Sequence, residues 1–501
     1  MHIMRSTLTK IKIKTIRLAA IFICLVIFSS AIVDQQRKDN GNAQKSFTIL
    51  GLGDSITEGG ETFQTYLFPL WEKLYTAGYD FDFIGPNANK CRIGTLNCAG
   101  YGGKNTEFLE ANIDSLYRKY PADFVLLHSG HNHFDTEKPI AGIISAQESI
   151  IQKIRKINPN VKILVAQVIT SGKLPRYSYI PQLNKEISKM VRHQNSKNVV
   201  LVNQANEFDW QKNTGSDKVH PNADGAEKMA QVWFEALKKM LAPAEQVFSP
   251  EIRTYKKLES GDLKLHIFKP KDVKKGEKRP AIVYFFGGGW SVGTPLQFYR
   301  ECAYYASKGM VAISAEYRIS YLHKTTPFES FEDAKDAIRW LRQNAARLNL
   351  DPDRVAASGS SAGGHLAAAT GILKENSAKQ TEYSSRPNLL LLYYPVIDNS
   401  KQGYGTAEMK KRYIEISPLH NIDTTAPPTL FILGTKDSLI PVKTAEVFKE
   451  KLEESGIYCE LHLFEGAGHP IFFYAKPLTD NFYKIRKTSD DFLQKYGYLK
   501  N

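Results

Sequence analysis

Cysteine is scarce in this chain: there are 5 in 501 residues, none paired as CxxC and none at a Cys/His spacing that suits a metal. A thiol-redox centre and a zinc-stapled framework are therefore not expected. No internal repeat is visible, no Lys/Arg block runs beyond a few residues and no nucleic-acid motif occurs, so repeat architectures and nucleic-acid partners are set aside. Apart from Leu18 to Val33 there is no long apolar run, which excludes a multispan membrane protein. With 34 Gly and 23 Pro scattered along the chain and 42% hydrophobic residues, collagen and disorder are excluded as well.

What is present fits two packed units. A chain of 501 residues exceeds what one core usually organises, so two domains of about 200 to 250 residues are the natural division. The 26 Phe, 25 Tyr and 5 Trp supply material for two buried sheets. The formal charge of +14 looks extreme, yet Arg5, Lys10, Lys12, Lys14 and Arg17 fall in the first 31 residues with no acid among them. That basic stretch, the apolar run Leu18 to Val33 and the small residues Ser29, Ser30 and Ala31 follow signal-peptide grammar. A leader at 1–31 predicts a secreted or periplasmic protein. The competing reading is an anchor retained through residues 18–33, the only route by which a membrane partner enters. Cys24 is a poor lipoprotein cysteine, because bulky Ile21, Phe22 and Ile23 precede it. Cys91 and Cys98 bracket a short loop that a disulfide could staple in an oxidising compartment. Cys302 and Cys459 read as small buried hydrophobes.

From Ser46 onward, short apolar runs alternate with amphipathic ones, the pattern of parallel strands joined by crossover helices. Strands are expected at Phe47–Leu52, Phe81–Ile84, Phe124–His128, Val161–Val168 and Val199–Asn203, with a closing helix from Asp224 to Leu241. The fold class is α/β. Residues 46–241 form a first, three-layer αβα unit with ligands expected at the carboxyl ends of its strands. Residues 242–250 lack either period and read as a linker. A second unit at 251–499 opens with a hairpin and continues with buried strands such as Ala281–Phe286, Val355–Ser358 and Thr429–Leu433.

Each unit carries a serine constellation. In the first, Gly53-Asp54-Ser55-Ile56-Thr57 ends a strand, so the Ser55 hydroxyl stands at a strand-to-helix turn. Asp217-Lys218-Val219-His220-Pro221-Asn222 brings a carboxylate and an imidazole to one side of a tight turn, where Asp217 can orient His220 as base for Ser55. Between them, Gly103 of Tyr101-Gly102-Gly103 and Asn132 of Gly130-His131-Asn132 offer backbone and side-chain amides for an oxyanion. In order, these blocks resemble the SGNH, or GDSL, hydrolases, and most of all the acetylxylan esterases of carbohydrate esterase family three. The resemblance implies a flavodoxin-like SGNH fold with Ser55 as nucleophile, Asp217 and His220 as its partners, and Gly103, Asn132 and the Ser55 amide as the hole. One departure is visible: His133 follows Asn132 where the family usually has Asp. His128, His131 and His133 also invite a metal reading, but a strand end points them to different sides, and no metal or organic cofactor is expected.

In the second unit, Gly359-Ser360-Ser361-Ala362-Gly363 follows a strand and opens a helix, the setting a nucleophile elbow requires. Upstream, Phe286-Gly287-Gly288-Gly289-Trp290 can turn amides toward a substrate carbonyl, with Gly288, Gly289 and the Ala362 N–H as donors. Asp437 and His469 follow strand-like runs in the chain order expected of an α/β-hydrolase. This stretch resembles α/β-hydrolase esterases of the hormone-sensitive-lipase, acetyl esterase and feruloyl esterase groups, also through Asp351-Pro352-Asp353-Arg354 and Ala426-Pro427-Pro428-Thr429. Here the departure is Phe286, where such enzymes usually carry His, and the loss of that His is expected to loosen the hole or alter acyl choice without removing the amides.

Together the resemblances imply a two-headed carbohydrate esterase removing acyl groups, chiefly acetyl, from an acylated polysaccharide such as xylan. Two alternatives stand beside this reading: a general lipase or esterase with one domain a non-catalytic carbohydrate-binding relic, and a serine peptidase of the prolyl-oligopeptidase kind.

Overall fold

A computed structural model describes residues 46–500, apart from 61, 62, 64, 245, 246, 275, 375–381 and 472–479. The basic and apolar segment read as leader or anchor lies outside the described residues. Among the described residues, no helix is long and apolar enough to cross a membrane.

The first sheet has seven strands: β1 (Phe47–Gly53), β2 (Phe81–Ile84), β3 (Asn87–Cys91), β4 (Gly94–Gly100), β5 (Phe124–His128), β6 (Lys162–Ala166) and β7 (Val199–Val202). Along its parallel core the order is β2-β1-β5-β6-β7, the flavodoxin-like arrangement expected from the sequence. Both faces are covered. Leu50, Leu52, Val125 and Leu127 pack with Leu109, Ile113, Ile150 and Leu183 from helices Thr106–Lys119, Ile140–Ile157 and Ile180–His193. On the other face, Ile49, Leu126 and Leu164 meet Leu67, Leu70, Trp233 and Leu237 from helices Leu67–Thr76 and Ala223–Lys238. Strands buried on both faces read as unbroken apolar runs, which is why these five were legible.

The β3–β4 hairpin was not expected. Its antiparallel register pairs Cys91 with Gly94 and Asn87 with Cys98, so the two cysteines lie four positions apart along the ladder. At about 3.3 Å per residue that separation far exceeds the Cα spacing of a disulfide. Both thiols are free and buried, which corrects the stapled-loop reading.

The second sheet has eight strands: β8 (Glu251–Lys256), β9 (Leu263–Phe268), β10 (Arg279–Phe285), β11 (Val311–Ala315), β12 (Leu350–Ser360), β13 (Leu389–Tyr393), β14 (Thr429–Gly434) and β15 (Cys459–Phe464). β9 runs antiparallel to both its neighbours, β8 and β11; the rest is a parallel α/β-hydrolase sheet in the order β11-β10-β12-β13-β14-β15. Helix Ala362–Ile372 is apolar on every side and wholly buried against this sheet. Each fully buried leucine of β13, Leu389 to Leu392, contributes roughly 1.5–3 kcal/mol by leaving water. Phe248 is buried between the two sheets, its ring 6.1 Å from Tyr75, 5.8 Å from Tyr299 and 6.5 Å from Phe268.

Candidate active sites

At the carboxyl end of β1, Asp54 caps a one-turn helix, its Oδ1 accepting from the Ile56 N–H at 3.0 Å, and Ser55 opens that turn. The Ser55 Oγ lies 2.8 Å from His220 Nε2, and His220 Nδ1 lies 2.5 Å from Asp217 Oδ2. Asp217 and His220 share a tight turn in which Lys218 takes φ 61°, and Asp217 Oδ1 accepts from the backbone N–H groups of Val219 (2.9 Å) and His220 (3.0 Å). Partial burial pushes the Asp217 carboxyl up, but the His220 ring and these two amides outweigh it and hold it below its ordinary value. An ionised Asp217 fixes the tautomer that leaves His220 Nε2 free to take the serine proton.

The turn after β4 stands beside the serine. A Cβ placed on Gly102 would come 3.9 Å from the Ser55 Cβ, and the Gly102 N–H donates to Glu58 Oε2 at 2.6 Å. Gly103 takes φ 71° with open space where a side chain would go. Asn132, at φ 69° beyond β5, donates through Nδ2 to Lys104 O at 2.9 Å, which ties the end of β5 to the Gly102–Gly103 turn.

The His133 departure has a structural replacement. His133 bridges Glu107 (Nε2 to Oε2, 2.9 Å) and Glu137 (Nδ1 to Oε2, 3.1 Å), so the residue after Asn132 is still anchored through charged groups. The other two histidines engage different partners. His131 is buried 3.7 Å from Asp54 Oδ2, and Asp54, which burial pushes up, is drawn below its ordinary value by that imidazole and by His128. Burial drives His128 down to about 4, against the opposing pull of Asp54. Among the described residues, no group of three or more His, Cys, Asp or Glu is placed to hold a metal. Sequence reasoning missed Phe63, whose ring stacks on His220 at 4.0 Å and 20°.

In the second unit, β12 runs into Ser361, held at φ 52° and ψ −119°, with helix Ala362–Ile372 immediately after. Such a strained turn requires neighbours without side chains. A Cβ on Gly363 would stand 2.0 Å from Phe285 O, and one on Gly359 would stand 2.5 Å from Gly363. Ser361 Oγ lies 2.9 Å from His469 Nε2, and His469 Nδ1 lies 2.7 Å from Asp437 Oδ2. Asp437 Oδ1 accepts from the N–H groups of Leu439 (2.8 Å) and Ile440 (2.9 Å), and its side chain is 0% exposed.

The Gly287–Gly289 loop is seated against the elbow, since a Cβ on Gly287 would lie 3.4 Å from Ser361 Cβ. Gly288 and Gly289 take φ 133° and 60°, and Ala362 is the first residue of the helix. Phe286 does not loosen this loop. Its ring stacks on Tyr317 at 4.2 Å, and the Tyr317 hydroxyl donates to the Phe286 carbonyl at 2.6 Å. Gln297, which no motif announces, accepts through Oε1 from the Gly287 N–H (2.7 Å) and from the Ser360 hydroxyl (2.8 Å). The expected looseness is thus replaced by two side chains that grip the loop from β10 onward.

Both triads sit at the carboxyl ends of parallel strands, the geometry of a serine hydrolase used twice in one chain. Residues 52–228 match the GDSL-like lipase/acylhydrolase family and residues 265–452 match the BD-FAE family, so the chain joins a GDSL-like domain to a BD-FAE α/β-hydrolase domain. Esterase LipQ of Mycobacterium tuberculosis is 27% identical over 212 residues, covering 38% of this chain and 50% of that protein. An acetylxylan esterase of Xylanibacter ruminicola is 26% identical over 209 residues, covering 38% of this chain and 41% of its own. The chain spans about half the length of the curated relatives it matches. Among solved structures, esterase 2 of Thermogutta terrifontis is 38% identical over 52% of this chain and 100% of its own, with a TM-score of 0.49.

Proposed function

We propose that each domain hydrolyses carboxylic esters, and that the chain is an exported two-headed esterase acting on acylated polysaccharides of the xylan type, chiefly on acetyl groups. The observation that carries the reading is the presence of two complete Ser–His–Asp chains, 2.8 and 2.5 Å in the first domain and 2.9 and 2.7 Å in the second. In each, the histidine takes the serine proton as Oγ attacks the ester carbonyl, loop amides hold the oxyanion, and the alcohol leaves with that proton. Water then enters by the same route and releases the acid. The acetylxylan esterase relative supports the glycan, and the basic residues before Leu18 support export.

The test is acetate release from acetylated xylo-oligosaccharides by wild type, Ser55→Ala, Ser361→Ala and the double variant. Each single variant is expected to retain part of the activity and the double variant none. If Ser55→Ala changes no ester activity, the first site is not catalytic, and the reciprocal result removes the second. Hydrolysis of long-chain acyl esters with no acetate release from any sugar would replace the carbohydrate reading with a lipase.

A further inference from the structure

We propose that Arg92, in the β3–β4 turn of the GDSL-like domain, is a positioning residue of the second active site, so that the first domain completes the oxyanion loop of its neighbour. The proposal rests on reading the Ser361 site as an esterase.

Gly293 is where the oxyanion loop closes. It takes φ 125°, and a Cβ there would meet the Phe286 ring at 2.4 Å and Gly287 O at 2.5 Å, so the end of the loop lies directly on its beginning. Within the loop, Gly288 O accepts from the Ser291 and Val292 N–H groups, both at 3.0 Å. Both polar groups of Gly293 then turn outward to one residue. Its N–H donates to the Arg92 carbonyl, and its carbonyl accepts from Arg92 Nε at 3.2 Å. The far end of the guanidinium reaches Glu316 Oε1 at 3.4 Å, while Glu316 Oε2 accepts from the Lys264 N–H at 3.0 Å. Arg92 is therefore fixed at both ends and presents a two-point clamp to the loop. A guanidinium held in this way loses little freedom on binding, unlike a free surface side chain.

The other end of the same hairpin braces the first site. Asn87 Nδ2 donates to Gly100 O at 2.6 Å, directly before the Gly102–Gly103 turn, and Asn89 lies so close to Gly59 that a Cβ there would be 2.0 Å from its Nδ2. One short ladder thus touches the oxyanion turns of both sites. Only its turn, through Arg92, uses a side chain on the second loop, and that contact can be removed without altering either triad.

The experiment uses the full chain in a Ser55→Ala background, so that ester turnover reports the Ser361 site alone, with p-nitrophenyl acetate as the probe. Arg92→Ala is expected to lower kcat about 5- to 20-fold with KM within twofold, Arg92→Lys to recover part of that loss, and Glu316→Gln, which weakens the far anchor of the guanidinium, to lose less than Arg92→Ala. Melting curves accompany each variant. A lowered Tm with unchanged kcat for Arg92→Ala, or a loss of kcat that Arg92→Lys does not recover in any part, would reduce Arg92 to an interdomain fastener and overturn the proposal. An inactive Ser55→Ala parent would instead overturn the esterase reading of the second site, and the proposal with it.

Discussion

Replacing Gln297 by Leu tests whether the second oxyanion loop is held by its side-chain acceptor. Gln297 Oε1 takes hydrogen bonds from the Gly287 N–H at 2.7 Å and the Ser360 hydroxyl at 2.8 Å, one partner on the loop and the other beside the nucleophile. Leucine keeps the bulk and removes the acceptor, leaving the Gly287 N–H without it and the Ser360 hydroxyl to the Tyr394 hydroxyl. An orphaned buried donor costs about 1–3 kcal/mol, which sets the loss at the Gly287 N–H. A loop released by that amount presents its amides poorly to the oxyanion, and loss of one such donor lowers kcat by about 10²–10³. In a Ser55→Ala background, Gln297→Leu is therefore expected to lower kcat for p-nitrophenyl acetate by about 10- to 100-fold with KM little changed. Gln297→Glu retains an acceptor oxygen and is expected to lose less. If Gln297→Leu keeps kcat within twofold of its parent, the loop is held by Tyr317 and the glycine geometry alone, and the reasoning fails.

The two triad carboxylates differ in exposure, 47% for the Asp217 side chain and 0% for that of Asp437, so their amide variants are expected to differ. Asp437→Asn should lower kcat of the second site by about 10³–10⁴, as expected when a buried carboxylate no longer fixes the histidine tautomer, and Asp217→Asn should cost the first site about tenfold less because water can partly replace it. Equal losses in single-site backgrounds would show that exposure does not set the contribution. Glu72 supplies a pH test. Burial raises its carboxyl to about 7 from an ordinary 4.5, Arg92 opposes that rise, and Glu227 and Glu316 add to it. The folded state then holds a proton that the unfolded chain releases, so stability is full below 4.5 and declines as pH rises toward 7, by at most about 3 kcal/mol. Glu72→Gln is expected to match wild type in melting temperature at pH 4 and to exceed it at pH 8; an identical difference at both pH values would refute the assignment.

The parts of the molecule legible from sequence are those where local pattern and global role coincide. Strands such as β5 and β13 are buried on both faces, so apolar runs alone define them, and the serine turns are legible because backbone crowding admits only glycine at Gly359 and Gly363. The β3–β4 hairpin escaped because it is a half-exposed ribbon of Asn87-Ala88-Asn89-Lys90-Cys91, with neither β-branched residues nor a continuous apolar face. Gln297 and Phe63 escaped for another reason: each acts across the chain, Gln297 on Ser360 and Phe63 on His220, and neither sits in a pattern that local chemistry requires.

The two departures from family pattern follow the same rule. His133 and Phe286 each find a partner, Glu107 and Tyr317 respectively, that is close in space but distant in sequence, so the consequence could be read only after folding. At His133 the ring is held between Glu107 and Glu137. At Phe286 the ring stacks on Tyr317, whose hydroxyl donates to the Phe286 carbonyl. In both cases the segment beside the nucleophile is tied by groups that no local motif announces. Gln297, Tyr317 and Arg92 hold one loop, so the effects of removing them are not expected to add, and each has to be altered separately before its contribution to turnover can be measured.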